Sequence, residues 1–300
     1  MRRFLLALAV LVAVAPVAPV AHAQVVGEDD GAETDPDAGV AAPRSPPAPS
    51  GSVHTAIRPR VKLPEKDGML LVPAGRFTMG SSDAAAPPNE KPTHPESVAA
   101  FWIDKTEITV GAYRVCVGAK KCAPPQRSSP LCTWTMGEDA LPVSCVRYSD
   151  ADQYCRYVGK RLLREAEWEY AARGMRPIRY PWGGSFSSCA AAATLINDAT
   201  ARACTGRAPS HVGVHAMGVS PFGVFDMTGN VEEWTADWYV EHVAPGAQPH
   251  SGASHVLRGG GWLSPPGLSK TTSRNWGSSV EAGPNVGFRC GRSESERAAK

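Results

Sequence analysis

The sequence has no excess of charge of either sign: 31 Lys and Arg stand against 29 Asp and Glu, a formal net charge of +2 over 300 residues. Arg2 and Arg3 fall in a segment expected to be removed, which leaves the remainder close to neutral. A surface that neutralises a run of phosphates is not built from such a chain, so no nucleic-acid partner is expected. Beyond residue 23 there is no apolar stretch of 18 residues, so no membrane span is expected in the mature chain. A Cys-x-x-Cys pair is missing as well, which argues against a structural zinc site. No tryptophan precedes Trp102, and the folded domain is therefore expected in the C-terminal two-thirds.

What is present bounds the answer from the other side. Hydrophobic residues make up 43% of the chain, enough for a core, while 29 Gly and 27 Pro predict many turns and little regular structure. Met1-Arg2-Arg3, an apolar run from Phe4 to Val20, and Ala21-His22-Ala23 follow the charged, apolar, small-x-small order of a secretory signal peptide over residues 1–23. The mature protein is expected to be exported, to a periplasmic or extracellular space. Residues 24–66 are rich in Ala, Pro, Asp and Gly and read as a disordered linker. The domain is expected over 67–292, with a polar tail at 293–300.

All eight cysteines, Cys116, Cys122, Cys132, Cys145, Cys155, Cys189, Cys204 and Cys290, lie beyond the leader. An even number in an exported chain reads as a disulfide framework. Met69–Pro73 and Arg76–Gly80 read as the two strands of a hairpin, and Val98–Ile103 as a further strand. Val110, Tyr113 and Val117 share one helical face, with Gly118 placed to close that helix. A second helix is expected from a Ser149 cap, with Ala151, Tyr154, Cys155 and Val158 on its inner face. A third runs from Glu165 to Arg173 and closes at Gly174. Tyr180 to Gly229 reads as long loops, and His255-Val256-Leu257 as a strand.

Six ordered blocks then carry a resemblance. They are Leu71 to Gly80; Phe101 to Thr109; Gly159 to Gly174, which contains Gly-Lys-Arg and Trp168; Tyr180-Pro181-Trp182-Gly183; Asp226 to Trp234; and Arg258-Gly259-Gly260-Gly261-Trp262 with Gly287-Phe288-Arg289-Cys290. Together they cover about 69–292 and resemble the sulfatase-modifying-factor family, whose best-known member is the formylglycine-generating enzyme. The resemblance implies an α+β, C-type-lectin-like fold, loop-rich with few helices.

It also implies an activity whose residues can be checked. In the formylglycine-generating enzyme a thiol pair after the Arg-Gly-Gly block binds copper(I) and oxidises a substrate cysteine with dioxygen. Soft copper(I) selects thiolates, and a neutral hydroxyl is a poor substitute. The equivalent positions here are Ser264 and Ser269, and no cysteine lies between Cys204 and Cys290. Copper and the oxidase reaction are therefore not expected, and no catalytic residue is expected at these positions. Ser264 could act as a nucleophile only with a base, His255 or a residue folded in from elsewhere.

Carried over residue by residue, the family's calcium segment becomes Asp226, Gly229, Val231 and Glu233, two carboxylates and two carbonyls suited to a hard cation. The family joins Cys155 to Cys290, and Cys189 to Cys204 is expected to fix the loop where a second calcium site is lost. Cys116, Cys122, Cys132 and Cys145 have three possible pairings, of which sequence proximity favours Cys116–Cys122 and Cys132–Cys145. Trp262, Arg274, Asn275 and Trp276 are the candidate ligand groove, with Arg274 equally able to form a structural pair. His211 and His215 have metal-pair spacing but lie in a loop sequence, and Glu165, Glu167 and Glu169 read as solvent-exposed or as packing with Arg161 and Arg173. The expected role is a binding or scaffold module with an unidentified protein or peptide ligand; the competing reading is an oxidoreductase that converts a protein cysteine to formylglycine, or another reaction at the same pocket.

Overall fold

The computed structural model describes residues 62–295 apart from 127–128, 187, 198–201, 207 and 242–249. The leader and most of the linker lie outside the described residues. The elements in chain order are β1 (Glu65–Lys66), β2 (Met69–Val72), β3 (Gly75–Met79), β4 (His94–Val98), β5 (Phe101–Asp104), α1 (Val110–Gly118), α2 (Tyr148–Tyr157), β6 (Arg161–Leu162) and α3 (Glu165–Arg173). There follow β7 (Leu195–Asn197), β8 (Arg202–Ala203), β9 (Glu232–Trp238), β10 (Ser254–Arg258), β11 (Arg274–Ser278), β12 (Val286–Gly287) and β13 (Cys290–Ser293). The fold is α+β, with short strands and long connections, as the Gly and Pro content requires. Glu65 and Lys66 already pair with β2, and Ser293 still belongs to β13, so the ordered strands reach slightly past both expected domain limits.

Two sheets carry the architecture. The first has the order β1-β2-β5-β13-β6, and the second β11-β10-β9-β12, in which β12 runs parallel to β9. The expected β2–β3 hairpin does not form. β2 pairs with β1 and β5, whereas β3 pairs with β4 in a separate two-stranded sheet. The reason lies in the side chains: Met69, Leu70 and Val72 are all buried, so β2 needs cover on both faces, while β3 alternates buried Phe77 and Met79 with exposed Arg76 and Thr78.

Helix ends are set by whichever side chain reaches the free amides. Thr109 caps α1 through the Ala112 N–H (3.1 Å), but Gly118 stays inside that helix and Ala119 follows it. α2 begins at Tyr148, one residue before the expected cap. Asp150, not Ser149, closes its first turn by accepting the Arg147 N–H (3.1 Å). α3 ends as expected, with Gly174 at φ 65°.

Two apolar cores flank the sheets. One packs α1 and α2 through Tyr113, Tyr154 and Phe288 onto Trp234 and Leu257. The other packs Trp168, Ala171 and Ala172 of α3 onto Val72, Phe101, Ile103 and Met227. Each fully buried side chain of Leu or Phe size contributes about 1.5–3 kcal/mol. All eight cysteines pair, as Cys116–Cys122, Cys132–Cys145, Cys155–Cys290 and Cys189–Cys204. No free thiol remains among the described residues.

Candidate functional site

Arg258, at the end of β10, fixes the segment that follows it. Its buried guanidinium donates to Glu169 Oε2 (2.6 Å) and to the carbonyls of Thr271 (2.8 Å), Thr272 (3.1 Å) and Ser273 (2.7 Å), so the chain from 259 to 270 must return as a closed loop. Gly259 at φ 91° and Gly260 at φ 62° make the turn. A side chain on Gly260 would strike the Ser269 hydroxyl.

Both serines are tied into that loop. Ser264 Oγ accepts the Gly261 N–H (3.0 Å) and the Asn285 Nδ2–H (3.1 Å), while Asn285 Oδ1 accepts the Leu263 N–H (2.9 Å). Ser269 is fully buried and donates to the Pro265 carbonyl (3.2 Å). Tyr180 OH holds Pro266 from outside (3.0 Å). His255 gives Ser264 no assistance. Its ring is sandwiched between Tyr148 and Trp238, with centroids at 3.4 and 3.8 Å, and Nδ1 lies 3.3 Å from the Asp237 carbonyl. Burial pushes its pKa down to about 4.

Sequence reasoning passed over two polar residues here. Glu232 is buried, accepts the Asn275 Nδ2–H (3.0 Å) and is also bonded by the Asn285 side chain, so Asn285 links Ser264 to a carboxyl group whose pKa burial raises. The signal was available: Glu232 and Glu233 are consecutive on a strand and must point to opposite faces. Glu233 points to Arg289.

That pairing decides how far the calcium set fits. Arg289 donates to both Glu233 oxygens (2.7 Å each), and Trp168 Nε1 donates to one of them (3.0 Å). Glu233 is thus occupied by a cation already in the chain, and its carboxylate does not fit a metal. Asp226 differs. Its Oδ2 takes the Gly213 N–H (2.6 Å), but Oδ1 is buried with no donor, and it lies against Glu107, neither of whose buried oxygens meets a donor either. Burial, followed by the Asp226 charge, drives the Glu107 pKa up. Two carboxylates with open oxygens fit a shared proton or a hard cation. Glu107 was not foreseen as part of this group.

The four groove residues do not line one surface. Trp262 is buried, with Nε1 donating to the Pro284 carbonyl (3.1 Å). Arg274 forms the structural pair: it grips Glu165 through Nε (2.6 Å) and Nη2 (3.1 Å) and donates Nη1 to the Asn89 and Val240 carbonyls. Trp276 is half exposed and stacks on Tyr239 (4.5 Å), the ring that also receives Arg274. Asn275 lies on the other face of β11 with Glu232. The two histidines separate as well, His211 to Glu138 (2.6 Å) and His215 to Ser210 (2.8 Å). Glu165, Glu167 and Glu169 are all buried, held by Arg274, Arg161 and Arg173 with Arg258 respectively.

These features define a disulfide-framed, loop-rich α+β domain whose Arg-Gly-Gly loop holds two buried, hydrogen-bonded serines. Residues 54–294 match the profile described as the Sulfatase-modifying factor enzyme 1-like domain, and the chain belongs to that family. It is 28% identical to the formylglycine-generating enzyme of Streptomyces coelicolor, over 84% of this chain and 95% of that one. It is 29% identical to the inactive C-alpha-formylglycine-generating enzyme 2 of Bos taurus, over 74% and 87%. Hercynine oxygenase of Mycolicibacterium smegmatis is 30% identical over 69% of this chain, which spans 57% of that enzyme's length. Among solved structures, PvdO from Pseudomonas aeruginosa superposes with a TM-score of 0.62 at 29% identity, covering 75% of this chain and 94% of PvdO.

Proposed function

We propose that this protein is an exported, non-oxidising member of its family that acts as a binding or scaffold module. The reading is supported by the serines at the positions where the resemblance puts the copper thiols: Ser264 Oγ accepts from Gly261 and Asn285, Ser269 Oγ donates to Pro265, and all eight cysteines are in disulfides. Neither a soft-metal site nor an ionisable sulfur is available to the reaction. The similarity to an inactive formylglycine-generating enzyme supports this direction. Four disulfides suit an oxidising compartment, and no helix among the described residues is long and apolar enough to cross a membrane. The module's ligand is a protein or peptide in the periplasmic or extracellular space.

The test is direct. The protein is titrated with copper(I) against a chromogenic chelator, then incubated with copper, dioxygen and a cysteine-containing peptide followed by mass spectrometry. No copper retained and no peptide converted is the expected result; stoichiometric copper with formylglycine formation overturns the reading. The calcium reading is kept at one end of its segment: a hard cation held by Asp226 together with Glu107, with Glu233 left to Arg289.

A further inference from the structure

A cleft of about 470 Å³ opens between the end of β3, the turn Ser81–Asp83, the chain leaving α3 and the segment after Ser269. Its lining includes none of Ser264, Asn285, Glu232 or Asp226. Two cations form its deep wall: the side chain of Arg173 is 4% exposed and that of Lys270 is 11% exposed. Arg179 stands at the rim, half exposed and paired with Asp83. Thr78, Ser82 and Thr93 add exposed hydroxyls, and Met175, Pro177 and Ile178 give one apolar edge.

The buried cations around this cleft share their carboxylates. Glu169 divides its oxygens between Arg173 (2.7 Å) and Arg258 (2.6 Å), and Glu165 serves Arg274 (2.6 Å) and Arg258 (3.5 Å). Arg173 therefore shares Glu169 with Arg258, and Arg258 shares Glu165 with Arg274. Asp237, on the Glu165 amide, adds a carboxylate at the Arg274 end of α3, away from Arg173. Arg173 places Nε on the Arg176 carbonyl and Nη1 on Gly80 and Glu169, which leaves Nη2 without a partner among the described residues. Lys270 spends its contacts on Glu90, which also accepts from Thr272. Buried cations are costly to hold, and apolar packing would stabilise the fold at least as well. A guanidinium that shares its carboxylate and keeps an N–H open against a cavity is the arrangement an anion completes.

We propose that this cleft is a binding site for a small hydroxylated oxyanion, a sugar acid or sugar phosphate. Its negative charge faces Arg173 and Lys270, its hydroxyls meet Thr78, Ser82 and Thr93, and its C–H face lies along Met175 and Ile178. The volume falls in the range of small-molecule sites. Arg179 closes on the ligand by exchanging part of its contact with Asp83.

The experiment is calorimetric titration of the full chain with D-glucuronate, D-glucose 6-phosphate and D-glucose, repeated on Arg179→Ala and Lys270→Gln. At least one of the two anions is expected to bind saturably, with glucose at least tenfold weaker. Which anion binds tells carboxylate from phosphate. Lys270→Gln is expected to weaken binding tenfold or more and Arg179→Ala three- to tenfold. Should Lys270→Gln fail to fold, Arg179→Ala decides alone, since Arg179 is half exposed and carries no core contact. The proposal is overturned if neither anion saturates the wild type, if glucose binds equally well, or if the folded variants bind as the wild type does. None of these outcomes depends on the copper titration.

Discussion

Arg258 and Glu169 meet at 2.6 Å with their side chains 0% and 1% exposed, joining the strand before the glycine loop to the helix of the Gly-Lys-Arg block. The same guanidinium lies over Trp168 at 5.2 Å and collects three carbonyls from residues 271–273. Two segments far apart in sequence are thus locked by a single buried cation.

Removing that cation should be severe. Arg258→Met leaves a Glu169 oxygen and three buried carbonyls without a donor, and a loss of about 3–5 kcal/mol is expected on breaking such a pair. Urea denaturation measures it. A loss below 1 kcal/mol would show that the loop is held by something else.

The disulfides should differ according to the loop they close. Cys155–Cys290 spans 135 residues and Cys116–Cys122 spans 6. On the chain-entropy estimate, the double alanine variant of the first pair should cost about 2–3 kcal/mol more than that of the second. Equal losses would mean that native packing, rather than unfolded-chain entropy, sets their worth.

Two neighbouring groups bend the pH profile in opposite directions. Burial holds His255 at about 4 in the fold against 6.5 outside it, so the unfolded chain protonates first and stability falls as pH drops from 6.5 to 4. Burial raises Asp237 to about 6 from 3.8, so the folded chain keeps its proton longer and stability falls as pH rises from 3.8 to 6. Asp237→Asn, which can still accept the Glu165 N–H, removes the second slope. Between pH 4 and 6.5 the variant's stability should climb more steeply than the wild type's; parallel curves would refute this.

Calcium should act through Asp226. Adding it to chelator-treated protein at neutral pH is expected to raise the melting temperature, and Asp226→Asn to abolish the shift. An unchanged wild-type melting temperature would refute calcium binding and leave a shared proton between Glu107 and Asp226.

Much of the fold was legible because local chemistry and spacing agree. The helical period of Tyr113, Tyr154 and Cys155 put them inward, Gly174 closed α3, and cysteine proximity paired Cys116–Cys122 and Cys132–Cys145. The missed features have local causes too. A hairpin was read across Pro73 although Met69-Leu70-Leu71-Val72 is a continuous apolar run, the mark of a strand covered on both faces. Ser149 was read as a cap although Asp150 has the reach to return to the Arg147 amide.

The sequence by itself determined the family, through its ordered motif blocks, and the presence of a disulfide frame, through eight cysteines in even number. The tertiary structure alone decided the rest of the site. Trp262 and Trp276 are the same residue type in one stretch of chain, yet one is buried against Ala193 and the other is half exposed. Glu232 and Glu233 differ by one step along a strand, and that step sends one to Asn275 and the other to Arg289. Arg173 is left an open N–H beside a cleft because Glu169, four residues before it, also serves Arg258, 89 positions beyond that glutamate. Charge balance of that kind belongs to side chains brought together by packing, and no local pattern encodes it.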